Sequence, residues 1–86
     1  MKKIEIYTTN NCPFCVKAKS LLNKKKVNLS EINVSNNNAL REKMSAMANG
    51  ARSVPQIFVD NVHIGDCDKI HKLEQENKLD KLLGVE

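Results

Sequence analysis

The hydrophobic pattern changes period once within the first 25 residues, and that change restricts the fold more than any other feature. From Lys3 to Thr8, Ile4 and Ile6 alternate with Glu5 and Tyr7, the two-residue repeat of a strand. After the polar stretch Thr9 to Asn11, Pro13 suits the first position of a helix, where its missing N–H leaves no bond unmade. Phe14, Ala18, Leu21 and Leu22 then fall on one stripe at helical spacing, with the lysines off it, to about Lys25. Val27 to Val34 reads as a second strand. Val27 and Leu29 are out of phase with Ile32 and Val34, which predicts a bulge or a strand end near Ser30. A strand–helix–strand run of this kind closes as a right-handed parallel crossover.

The remaining elements follow in the same way. Asn36 to Asn38 can cap a second helix, with Leu40, Met44, Met47 and Ala48 inward and Gly50 as its stop. The methionines of that stripe read as core filling. Gln56 to Asp60 and Val62 to Ile64 form a hairpin closed at Asp60-Asn61. Gly65-Asp66 opens a third helix with Ile70 and Leu73 inward, and a short last helix carries Leu79, Leu82 and Leu83. The order β-α-β-α-β-β-α predicts an α/β fold: a four-stranded mixed sheet flanked by helices. A chain of 86 residues has room for one domain, residues 1–86, with a modest core.

Composition excludes several classes. No apolar run is long enough to span a membrane, and Met1 to Ile6 lacks the apolar stretch of a signal peptide. A cytoplasmic protein is expected, and there thiols are kept reduced. The net charge is +4, from 14 basic and 10 acidic residues, with a block at Lys17, Lys19, Lys24, Lys25 and Lys26. With Tyr7, Phe14 and Phe58 as its complete aromatic set and no nucleic-acid motif, the charge reads as a solvated helix face or as mild attraction for anionic partners.

Cys12 and Cys15 are three apart at the start of the first helix. A bridge between them closes a loop too short to restrain much of the unfolded chain. Zinc wants about four ligands, and Cys67, His63 and His71 offer no second close-spaced pair. Redox chemistry suits the placement. The first-turn N–H groups and the helix dipole favour a thiolate at Cys12, and the thiolate is the nucleophile. One turn on, Cys15 lies beneath it, more buried, able to resolve a mixed disulfide. A Cys-x-x-Cys that follows a strand and opens a helix in a βαβ unit is a strong signal for this reading.

Three stretches in register carry a family resemblance: Cys12-Pro13-Phe14-Cys15, Ser53-Val54-Pro55-Gln56-Ile57-Phe58, and Gly65-Asp66-Cys67-Asp68. Together they make the chain, over essentially its whole length, similar to a glutaredoxin of the small dithiol type. The resemblance implies a thioredoxin-like fold and reduction of protein disulfides and glutathione mixed disulfides. Glutathione is then the electron-donating co-substrate, with no permanently bound cofactor and no metal. It implies Cys12 as nucleophile, Cys15 as resolving thiol, and a cis Val54–Pro55 bond whose Val54 N–H and C=O pair with glutathione's cysteine backbone.

It further implies that Phe14 and Ser53 border the glutathione site. Cys67 and Asp68 would hold the γ-glutamyl group there, the helix N–H groups taking its carboxylate and Asp68 its ammonium. Arg41 would meet the glycine carboxylate. Family members usually carry Tyr at position 14, often Lys at 9, Thr at 53 and Gly at 66, where this chain has Phe14, Thr9, Ser53 and Asp66. Without a Lys at 9, Arg41 or Gln56 has to supply the missing contact. Expected partners are glutathione and disulfide-bearing or glutathionylated proteins, ribonucleotide reductase among the candidates, with no nucleic acid and no membrane, acting as a monomer. Two other functions fit the resemblance: a redoxin reduced by a thioredoxin-reductase-type enzyme, and a carrier of a [2Fe–2S] cluster, against which Pro13 and Cys15 argue.

Overall fold

The computed structural model describes residues 2–85; Met1 and Glu86, the ends of the expected domain, lie outside the described residues. Its strands are β1 (Ile4–Thr8), β2 (Leu29–Asn33), β3 (Gln56–Val59) and β4 (Val62–Gly65). Its helices are α1 (Pro13–Lys24), α2 (Asn38–Met47), α3 (Cys67–Gln75) and α4 (Leu79–Leu83). One sheet runs β2-β1-β3-β4. β1 is parallel to β2, with Ile4 opposite Leu29, and antiparallel to β3, with Tyr7 opposite Gln56. β3 and β4 are antiparallel and joined at Asp60 and Asn61, both with positive φ (50° and 68°), as a two-residue hairpin turn requires. The mixed sheet expected from the pattern is thus present. Among the described residues, no helix is long and apolar enough to cross a membrane.

The sheet is covered on both faces, and this explains where the pattern misled. One core joins Ile4, Ile6 and Ile57 to Ala18, Leu21 and Leu22 of α1, Ile70 and Leu73 of α3, and Leu79 and Leu83 of α4. The other joins Tyr7 and Phe58 to Val34 and to Met44 and Ala48 at α2. Along β1, therefore, Ile6 and Tyr7 are both buried on opposite sides, since side chains alternate across a strand. The phase change in β2 has the same origin. Leu29 packs into the first core and Ile32 into the second, while the pairing with β1 runs without a shift from Leu29 to Asn33. Of the two alternatives near Ser30, the bulge is absent and the strand end is present, since β2 begins at Leu29; the sheet's register shift lies between Ile57 and Phe58.

A second correction concerns α1. Its buried stripe is Cys15, Ala18, Leu21 and Leu22, and Phe14 stands 59% exposed. Cys15 takes the inward place because Phe14, one residue earlier, is rotated about 100° around the helix axis. In α4, Leu79 and Leu83 are buried and Leu82 is 38% exposed. The caps follow the sequence more closely: Asn37 accepts from the Leu40 N–H at 3.1 Å, and Asp66 from the Lys69 N–H at 3.0 Å.

The corrected stripe makes a direct comparison of two substitutions. Leu22→Ala should destabilise the fold by about 2–5 kcal/mol, while Phe14→Ala should cost less than about 1 kcal/mol. Urea denaturation of the two variants, with unchanged m-values, measures the difference.

Candidate active site

Three chain segments meet at one end of the sheet. The first follows β1. Here the Asn10 N–H donates to Ser35 Oγ at 2.8 Å, and Asn33 Nδ2 donates to Asn10 Oδ1 at 2.9 Å, tying the loop to the end of β2. Asn11 takes positive φ (54°), a conformation Asn tolerates better than most residues, and turns the chain into α1. Cys12 is the N-cap residue, in extended conformation, followed by Pro13 at the first helical position. Its sulfur accepts from the Cys15 N–H at 3.1 Å. Cys12 is half-buried; Cys15, at 2% exposure, is enclosed by the core. The pair is joined as a disulfide, with 5.1 Å between the two Cα atoms.

The second segment precedes β3. Its Val54–Pro55 bond is cis, as the resemblance implied. The Val54 carbonyl oxygen lies 4.0 Å from Cys12 Sγ. The third is the turn from β4 into α3, where Asp66 caps the helix. The first N–H groups of a helix have no intrahelical acceptor, so this turn offers donors beside the cap.

Phe14, Ser53, Val54, Pro55, Asp66, Cys67 and Asp68 line a cavity of about 180 Å³ between these segments. All six lining residues singled out from the sequence are therefore brought together, and Asp66 joins them. An Asp just before the third helix was a readable capping signal, and the same residue contributes to the cavity lining.

Other residues lie apart from the cavity. Arg41 is not part of its lining; its Nε donates to the Arg52 carbonyl at 3.0 Å, immediately before Ser53. Arg52 in turn pairs with Glu42. Gln56, the alternative to Arg41 for the missing contact, is 2% exposed and hydrogen-bonded to Ser53 and His63. Cys67 is buried, and burial pushes its thiol above the ordinary range, outweighing the opposing charge of Lys17. His71 Nδ1 lies 2.8 Å from the Cys67 carbonyl oxygen, and His63 meets Gln56, so the two histidines serve separate neighbourhoods.

The chemistry open to this arrangement is thiol–disulfide exchange. One sulfur is reachable and faces an amide donor; its partner is covered and held within bonding reach. Comparison with known proteins agrees. The glutaredoxin family model matches residues 4–64. A probable glutaredoxin of Synechocystis sp. is 53% identical over 81 residues, covering 94% of this chain and 92% of that protein. Glutaredoxin 3 of Escherichia coli is 45% identical over 83 residues, covering 96% and 99% respectively. The solution structure of a glutaredoxin from Brucella melitensis superposes with a TM-score of 0.83 at 42% identity, over 96% of this chain and 89% of that one. The four-stranded mixed sheet with its helices is the thioredoxin-like fold of those structures. With its Cys12–Cys15 pair opening the first helix of that fold, the chain belongs to the glutaredoxin family of thiol–disulfide oxidoreductases.

Proposed function

We propose that this protein is a glutathione-dependent oxidoreductase, acting as a single-domain monomer in the cytoplasm, that reduces protein disulfides and glutathione mixed disulfides. The observation that supports this most is the contrast within the thiol pair: a half-buried Cys12 that caps α1 next to the cavity-lining Val54, with Cys15 buried behind it. Disulfide-bearing and glutathionylated proteins, ribonucleotide reductase among them, are its macromolecular substrates. Neither nucleic acid nor membrane enters the reaction.

In the reduced protein the Cys15 N–H and the helix N-terminus favour thiolate over thiol at Cys12. That thiolate attacks one sulfur of a substrate disulfide. A Cys12–substrate disulfide forms, and the other substrate sulfur leaves as a thiolate. For a protein disulfide, Cys15 loses its proton and attacks Cys12; the substrate departs with two thiols, and the Cys12–Cys15 disulfide remains. Two glutathione thiols then reduce that disulfide in succession and leave as glutathione disulfide. For a glutathionylated protein, Cys12 takes the glutathionyl group and the protein thiolate leaves. A second glutathione restores Cys12 and carries the pair away as glutathione disulfide, without Cys15.

The cavity suits the tripeptide. Val54 presents its backbone beside Cys12, where it can pair with an extended substrate in the manner of an added strand. Phe14 supplies an exposed ring, and Ser53 and Pro55 contribute to the same lining. The free N–H groups of Cys67 and Asp68 hold the γ-glutamyl carboxylate, and the Asp68 carboxylate takes the ammonium. Arg41 reaches the glycine carboxylate by exchanging its bond to the Arg52 carbonyl. Asp66 places a further negative charge beside the γ-glutamyl carboxylate, which weakens binding.

Three outcomes test this reading. Cys12→Ser should abolish both activities, whereas Cys15→Ser should keep reduction of a glutathionylated peptide and lose reduction of protein disulfides. Coupled assays with glutathione and its reductase, set against thioredoxin reductase, measure both and identify the electron donor. In the reduced protein, iodoacetamide should label Cys12 first, with a rate midpoint below the ~8.5 of a free thiol, while Cys67 stays slow. Asp66→Asn keeps a capping oxygen and removes the charge; KM for the glutathionylated peptide should fall roughly two- to fivefold, read from initial rates.

A further inference from the structure

Next to the cavity a hydrogen-bond relay, partly buried and centred on the buried Gln56, runs from the half-buried His63 to the Ser53–Val54 peptide. His63 Nε2 lies 2.6 Å from Gln56 Oε1, and Gln56 Nε2 donates to the Ser53 carbonyl at 3.0 Å, with Ser53 Oγ at 3.4 Å. Gln56 is 2% exposed, so neither end of its amide can turn to water instead. We infer that His63 is a positioning residue: through Gln56 it holds the Ser53 carbonyl inward and so aims the Val54 N–H at the substrate. This deepens the proposed function and rests on it for the identity of the substrate.

Elementary geometry carries the argument. The Ser53 carbonyl and the Val54 N–H belong to one planar trans peptide unit, so they point in opposite directions. Fixing the first fixes the second. The Ser53 carbonyl can only accept, so the Gln56 group facing it has to be the NH₂. The Gln56 oxygen therefore faces His63 and has to receive a hydrogen there. A neutral imidazole carries one N–H, and this site requires it on Nε2. Reversing the amide would set two carbonyl oxygens against each other at the Ser53 end. Burial lowers the proton affinity of His63, favouring the neutral ring, and Asp66 acts in the opposite sense. The ring is held in place by Phe58, with centroids 5.2 Å apart. Each bond of the chain polarises the next through the Gln56 amide, which is itself shielded from water.

Two substitutions separate the hydrogen bond from simple packing. His63→Phe keeps a ring against Phe58 and removes the donor; His63→Gln removes the ring and keeps a donor. For the relay, His63→Phe raises KM for a glutathionylated peptide roughly three- to tenfold with kcat little changed, and His63→Gln restores most of it. Gln56→Met gives a similar rise, and the double variant with His63→Phe is no worse than either alone. The reverse order of the two His63 variants, an unchanged KM, or additive effects would overturn the assignment. Nitrogen NMR of the wild type gives a readout that needs no activity: His63 should be the Nε2–H tautomer, and the Val54 amide should shift in His63→Phe. An Nδ1–H tautomer or an unmoved Val54 amide refutes the relay. If the wild type fails to turn over with glutathione while both NMR results hold, the proposed function fails and the relay stands.

Discussion

The antiparallel pairing of β1 with β3 is the constraint from which the site follows. Tyr7, near the end of β1, lies opposite Gln56, the first residue of β3. The chain leaving β1 toward Cys12 and the chain entering β3 from Val54 and Pro55 must therefore meet at one end of the sheet. β4 runs back against β3, so that Gly65 lies opposite Ile57, and α3 begins at the same end. Three segments separated by up to some fifty residues are thus gathered without any long loop. The stability of the arrangement comes from burial: β1 and β3 place Ile6 and Ile57 in one core and Tyr7 and Phe58 in the other. A site built on strands so enclosed is held by the best-packed part of the molecule.

Three thiols in one small domain are given different environments by their positions on two helices. Cys12 is the cap of α1, outside the helical turn, where its sulfur meets an amide hydrogen and solvent. Cys15, one turn on, points into the core. Cys67 also begins a helix, yet its side chain is turned inward and burial opposes its ionisation. Proximity to a helix start is therefore not sufficient for reactivity. The direction in which the side chain leaves the helix decides whether the dipole or desolvation dominates. The same division appears among the polar groups: Asp66 and Asp68 face the cavity, while Gln56 and His63 satisfy each other behind it.

Most elements were legible because each has a local physical cause. Pro13 after a polar loop, Asn37 as a cap, and Asp60-Asn61 as a turn each specify backbone geometry by short-range chemistry. Two features of the pattern have causes that are not local. In β2 a sheet covered on both faces buries both phases, so Leu29 and Ile32 need no bulge. In α1 the spacing of Phe14 to Ala18 suits an inward stripe, yet the helix phase puts Cys15 inward and leaves the Phe14 ring at the cavity. Of the site, the lining residues were readable from three short motifs. The pairing of His63 with Gln56 was not, since its seven-residue separation carries no periodic signal and depends on the register across β3 and β4.

By itself the sequence determined the kinds of element, their order, the two thiols at the start of a helix, and the turns and caps between them. These follow from interactions among residues a few positions apart, which any chain segment carries with it. The tertiary structure alone decided that the two phases of β2 enter different cores, that Arg41 bonds the Arg52 carbonyl outside the cavity lining, and that the Gln56 amide joins His63 to the Ser53 carbonyl. Those outcomes depend on which surfaces face each other once both sides of the sheet are covered, and no single segment contains that information.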